Sequence, residues 1–283
     1  MKNLFLFLFL LVVFTSKAQD NRVSGLNSRQ FTKYWKVESE SPDYKVTFQG
    51  DTAEIVSPKG LTLWRKEKMS GKVTIEYDAC VVVESDGDRL SDLNCFWMAS
   101  DPQYPDNLWK REKWRSGIFL NCYSLQLYYL GYGGNHNSTT RFRRYDGDES
   151  GITNPKARPA ILKEYTDAGH LLKPNHWYHI KITNENNRVS YYIDGERLVD
   201  FRDAEPLREG WFGFRTTLSR TRITNFSYEC SSQEATAVPL QWIGETPRQD
   251  KAVSFGVPFD KGEVFPENKL RPVSYTHLTL PTT

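Results

Sequence analysis

The stretch from His176 to Thr216, HWYHIKITNENNRVSYYIDGERLVDFRDAEPLREGWFGFRT, limits the fold more than any other part of the chain. Trp177 to Ile182 alternates bulky and polar residues, Asn186-Asn187 breaks the run, and Arg188 to Ile193 resumes it, which is strand, turn and strand. Asp194-Gly195 supplies the next turn, because a two-residue hairpin loop needs positive φ at both central positions and Asp and Gly tolerate it. Leu198 to Phe201 is the returning strand, and after Pro206 a further strand runs from Trp211 to Thr216. Successive hairpins of this kind dictate an antiparallel sheet.

The rest of the chain continues the pattern. Tyr44–Phe48, Ala53–Val56 and Leu61–Trp64 read as strands, and Lys72 to Val83 is the longest candidate, with Val73, Ile75, Tyr77, Ala79 and Val81 on one face. Leu93 to Ala99 is rich in large apolar groups, as a strand buried on both faces requires. Ser124–Tyr132 and Thr139–Tyr145 are joined by Gly133-Gly134-Asn135-His136-Asn137, and Arg222 to Glu229 closes the sheet. Of two long polar connections, 100–115 and 146–158, the first is expected to be a binding loop over the mouth of the sandwich. With no long helix, no heptads and no internal repeat, the fold class is all-β, a sandwich of two antiparallel sheets.

The order "W-Y-H-I", "Y-I-D-G", "G-W-F-G-F-R" resembles the C-terminal half of concanavalin A-like jelly rolls of the laminin-G and glucanase type, which implies a jelly-roll sandwich. The longer stretch Tyr77 to Phe226 is similar to an uncharacterised domain family of secreted Bacteroidetes proteins that accompany polysaccharide degradation. Residues 92–98, 131–137, 141–145 and 211–215 carry that likeness, which implies a setting and brings no catalytic residues with it. Val238 to Pro272 resembles the opening strands of exo-rhamnogalacturonan lyase-like proteins, with a "P-L-x-W" strand, then "G-V-P-F" and "K-G".

The expected organisation is a signal peptide over 1–18, a lead-in over 19–30, the jelly roll over 31–230 and a linker over 231–237. The truncated start of a lyase-like β domain then covers 238–272, and residues 273–283 look like translated sequencing adapter. A short basic start, an apolar run from Leu4 to Phe14 and a small-residue cut after Ala18 imply export, to the periplasm or beyond, with no membrane association after cleavage. The downstream domain of the uninterrupted chain is an expected partner. The net charge of +2, with acids and bases interspersed, offers no field for nucleic acid and no polybasic stripe for a membrane surface. Cys80, Cys95, Cys122 and Cys230 lack CxxC spacing. Cys80 and Cys95, on neighbouring strands, are within geometric reach of a bridge, but buried free thiols are the expectation.

Arginines and aromatics carry the candidate chemistry. Period two puts Arg141 and Arg143 on one strand face with Tyr145, where two guanidiniums suit carboxylates, so the expected ligand is an acidic, uronate-containing polysaccharide or oligosaccharide. Asn135, Arg115 and Arg215 are further ligand-binding candidates, and Trp109 and Trp114, set among charges in a loop, are candidates for stacking on a pyranose ring. Trp97 and Trp177, in apolar strand text, are expected in the core. A second reading makes the same domain a β-eliminating polysaccharide lyase, with His136, Tyr132 and Tyr128 as candidate acid–base residues beside the arginines. A third makes it a structural spacer. A glycosidase reading lacks its alternating carboxylates, since Glu84 to Asp88 contains Gly87 and reads as a turn. No cofactor is expected apart from a candidate calcium site at Asp86, Asp88 and Asp92, an acidic loop without the full EF-hand pattern.

Overall fold

A computed structural model describes residues 23–231. Fourteen strands carry the fold: β1 (Val23–Ser24), β2 (Trp35–Ser39), β3 (Lys45–Gln49), β4 (Thr52–Arg65), β5 (Met69–Ser70), β6 (Lys72–Val81), β7 (Leu93–Ser100), β8 (Gln126–Gly133), β9 (Thr139–Asp146), β10 (Lys163–Tyr165), β11 (Tyr178–Glu185), β12 (Arg188–Ile193), β13 (Glu196–Arg202) and β14 (Glu209–Ser231). The signal-peptide, lyase-like and adapter readings lie outside the described residues.

The hairpins follow their turn chemistry. Ile193 pairs with Glu196 across Asp194 and Gly195, whose φ values of 51° and 84° are the positive ones that the two-residue loop demands. β11 alternates buried and exposed from Tyr178 onward, so its inward positions are Tyr178, Ile180 and Ile182. Trp177 has the opposite parity and is 42% exposed, which corrects its expected place in the core.

Two long strands run through both layers. The first part of β14, Trp211 to Arg215, pairs with β7, whereas Thr221 to Ser231 pairs with β6. β4 accompanies β14 from Trp64 opposite Gly213 to Ala53 opposite Ile223. At the changeover the register shifts between Thr217 and Ser219, and Leu218 stands out with φ 49°. The sequence suggests two strands here, ending at Thr216 and starting at Arg222. The structure makes them one, because a bulge redirects the backbone without ending the ladder. The pairings give one layer ordered β2-β4-β14-β7-β8-β9-β10 and a second ordered β3-β4-β14-β6-β11-β12-β13, an antiparallel jelly-roll sandwich.

Trp97 of β7 marks the middle of the core. Its ring lies 5.7 Å from Tyr128 and 6.0 Å from Phe142 in its own layer, and 6.1 Å from Tyr191 of the facing layer. A second apolar cluster forms on the outer face of the first layer, where residues 101–125 fold back over Trp64, Phe96, Leu127, Tyr145 and Trp211 and insert Leu108, Cys122 and Leu125. That cover is why β7 is buried from Leu93 to Ala99 without alternation. All four cysteines are free thiols, Cys80, Cys95 and Cys122 buried and Cys230 half-buried. Burial pushes the Cys95 and Cys122 thiols up to about 12, so they behave as small apolar groups.

Candidate functional site

The covering segment leaves part of the first layer's outer face open. There a cleft of about 460 Å³ is floored by β7, β8, β9 and β14, walled by Phe119, Leu120 and Tyr123 of the cover, and edged by the Gly134-Asn135-His136 turn. Strand register decides what meets in it. Arg215 lies opposite Asn94, Asn94 opposite Gly131, and Gly131 opposite Arg141, which forms a row across the strands. The adjacent row sets Phe96 opposite Tyr129 and Tyr129 opposite Arg143. With neighbouring strands about 4.8 Å apart, Arg215 and Arg141 stand roughly 14 Å apart at their Cα atoms, a span suited to an oligomeric ligand.

Five arginines line the cleft: Arg89, Arg141, Arg143, Arg158 and Arg215. Two are neutralised, Arg89 by Asp92 at 2.9 Å and Arg141 by Glu164 at 2.6 Å. The other three have no carboxylate within ion-pair distance among the described residues. Arg143 donates to the carbonyl of Pro159, and Arg158 donates to Gly151 and lies over the Tyr123 ring. Arg215, 3% exposed, is tied by Nη1 to the carbonyl of Gly117 at 2.6 Å and to Thr62 at 3.5 Å and lies over the Phe119 ring. Its Nη2 sits beside Gly60 close to the Glu40 carboxylate, which also lines the cleft, and its Nε has no hydrogen-bond partner among the described residues. Arg143 and Arg158, held by neutral carbonyls, keep their charge for a ligand, and a guanidinium already fixed loses little freedom on binding.

Arg141, Arg143, Arg215, Asn135 and His136 therefore meet in one cleft, while other candidates fall elsewhere. Tyr128 and Tyr132 have the wrong parity, since even positions of β8 face the interior: Tyr128 donates to Asp203 at 2.6 Å and Tyr132 to the carbonyl of Leu171 at 3.3 Å. The tyrosine that faces the cleft is Tyr129, and strand parity in Ser124 to Tyr132, matched to Arg143 across the ladder, is the signal that identifies it. Arg115 is corrected from a ligand contact to a buried structural group, because it is fully enclosed and bound to Glu38 by Nη2 at 3.0 Å and Nε at 3.3 Å. Trp109 packs edge-on against Trp211 at 6.1 Å as part of the cover, whereas Trp114 is 43% exposed beneath the Arg111 guanidinium; neither lines the cleft.

The acidic loop does not assemble. Asp88 closes its own turn by accepting from the backbone of Glu84 at 2.7 Å and Ser85 at 3.0 Å, Asp86 is exposed at the tip, and Asp92 is turned to Arg89. Among the described residues no group of three His, Cys, Asp or Glu side chains is placed to hold a metal ion.

The fold is similar to that of a protein of unknown function with a galectin-like fold from Bacillus subtilis, at TM-score 0.56 and 15% identity over 71% of this chain and 91% of that one. It is also similar to the metal-free carbohydrate recognition domain of Emp46p, at TM-score 0.50 and 12% identity over 72% and 92% of the two chains. The Ca²⁺/Man2-bound exoplasmic/lumenal domain of VIP36 matches at TM-score 0.50 and 9% identity over 75% and 86%. Likeness at these identities shows the galectin-like jelly roll alone. By sequence, the family described as Domain of unknown function (DUF6250) matches residues 55–226, more than half of the chain, and the PcRGLX-like N-terminal RIFT barrel domain matches residues 236–281. That second match takes in Val238 to Pro272 and continues past Val273. No curated protein matches the chain.

Proposed function

We propose that this chain, which belongs to the family described as Domain of unknown function (DUF6250), is an exported carbohydrate-binding module that holds an acidic, uronate-containing glycan in the outer cleft of its first layer. The observation that carries this reading is the excess of five arginines over the two lining carboxylates, Glu40 and Asp92, with Arg143, Arg158 and Arg215 in no ion pair among the described residues and arranged around aromatic walls and a floor with amide and phenol groups. Guanidiniums grip a carboxylate through paired donors, and the Tyr123 and Phe119 rings lie beneath the Arg158 and Arg215 guanidiniums and hold them in place. The fold neighbour named as a carbohydrate recognition domain, and the downstream match to the PcRGLX-like N-terminal RIFT barrel domain over residues that resemble the opening strands of exo-rhamnogalacturonan lyase-like proteins, support the setting of polysaccharide breakdown.

Binding is favoured over elimination by the placement of the candidate bases. Tyr128 and Tyr132 are inside the sandwich, and burial pushes the Tyr129 phenol up, away from the phenolate a proton abstraction would need. His136 sits exposed on the turn, and among the described residues no side chain orients its imidazole. Affinity electrophoresis of the protein through gels containing polygalacturonate or a neutral galactan, with ultraviolet absorbance followed in parallel, tests both readings. The expected result is retardation by the acidic polymer only, weakening as salt is raised, with flat absorbance. Equal retardation by the neutral polymer would contradict the ligand class, and rising absorbance would make the module a lyase.

A further inference from the structure

Gly131 is a glycine in the middle of β8 with ordinary strand geometry, where glycine weakens a sheet and needs a reason. The reason is Tyr129. A Cβ at position 131 would stand 2.2 Å from the Tyr129 hydroxyl and 2.7 Å from its Cζ, so the ring lies over Gly131 and the missing side chain makes its seat. Phe96, Phe119 and Tyr145 box the ring at centroid distances of 5.5, 5.6 and 5.8 Å, so its position is fixed. The hydroxyl is thereby delivered into the row Arg215, Asn94, Gly131, Arg141, where it has no hydrogen-bond partner among the described residues.

We propose that Tyr129 contacts the ligand and sets its specificity: its hydroxyl, together with Nε of Arg215, selects the ionised carboxylate of a uronate over the corresponding methyl ester. This rests on the acidic-glycan reading. Burial raises the phenol, Asp92 raises it further, and Arg215 and Arg143 only partly oppose them, so the hydroxyl keeps its proton and donates. An ionised carboxylate accepts from several donors at once and strengthens each bond through its charge. Esterification removes that charge and puts a methyl group where a donor would sit.

The test is calorimetric titration of the protein with trigalacturonate and with its methyl ester. Wild type is expected to prefer the acid. Tyr129→Phe, which keeps the ring and its packing, is expected to weaken binding of the acid about tenfold, leave the ester nearly unchanged and so shrink the preference, with an unaltered melting temperature. Gly131→Ala is expected to cause a similar loss by displacing the ring, and none beyond that of Tyr129→Ala when placed in that background. An unchanged acid-to-ester ratio in Tyr129→Phe, with Arg215→Gln still defective, would overturn the role of Tyr129 and leave the acidic-glycan reading standing. Failure of wild type to bind either compound would overturn both.

Discussion

Replacing Arg115 with alanine is expected to lower the melting temperature by roughly 10 °C. Arg115 is the internal tie of the covering segment. It donates to Glu38 of β2 through two nitrogens and to the carbonyl of Leu108 at 2.7 Å, and its Nη1 lies 3.8 Å from the fully buried Asp101. Removing it strands Glu38, which is 6% exposed, as an uncompensated charge, a loss of about 3–5 kcal/mol for a buried pair. Burial already raises the Glu38 carboxyl above its ordinary 4.5, with Arg115 opposing the rise. Without Arg115 the carboxyl is raised further and the folded state favours the proton. The deficit is therefore expected to be smaller near pH 4 than at pH 7, growing as pH rises through the raised value. Thermal melts of Arg115→Ala at the two pH values check the size and the sign. The double variant Arg115→Met/Glu38→Leu should regain much of the loss, because removing both charges leaves none stranded. A deficit independent of pH would place the damage in packing and not in the ion pair.

Arg215→Gln is expected to weaken uronate binding about a hundredfold, because it removes the fixed cation at one end of the row together with its charge-assisted Nε donor. Arg215 also holds Gly117, so the substitution carries some structural cost, and a second variant separates the effects. Arg143→Ala removes a half-buried cation without a carboxylate partner and is expected to lower affinity about tenfold with little change in melting temperature. Arg188→Ala, on β12 of the other layer and paired with Asp200 at 2.6 Å, should leave affinity unchanged. Calorimetry against trigalacturonate, with melting curves of each variant, measures all three. Equal losses in Arg188→Ala and Arg143→Ala would reduce the effect to overall charge and remove the cleft from it.

Local patterns in the sequence carried much of this architecture. Asp194-Gly195 announces its hairpin because the turn's φ requirement is local, and β6 and β11 announce their buried faces because period two is local. The parity of β9 likewise puts Arg141 and Arg143 on one face. Contacts made at long range were not legible. Arg115 pairs with Glu38 across 77 positions, so nothing near it marks a buried cation off from a loop cation. Ser124 to Tyr132 has aromatics on both faces, so local pattern points to Tyr128 and Tyr132 no less than to Tyr129, and only the ladder to β9 shows which face meets the arginines. Trp109, read as a loop indole, belongs to a cover whose apolar underside is spread over residues 108–125. The bend of β14 through both layers depends on one residue, Leu218, whose neighbours give no turn signal.

The measurement that bears most directly on the cleft is a titration of the ¹⁵N-labelled protein with trigalacturonate, followed at the arginine Nε–Hε resonances. The expected result is that Arg215 and Arg143 shift and saturate together, that Arg188 and Arg220 on the other layer stay in place, and that neutral galactotriose moves none of them. Saturable shifts confined to the other layer, or no shift at Arg215 while the acid binds, would contradict the assignment of the glycan site to this cleft.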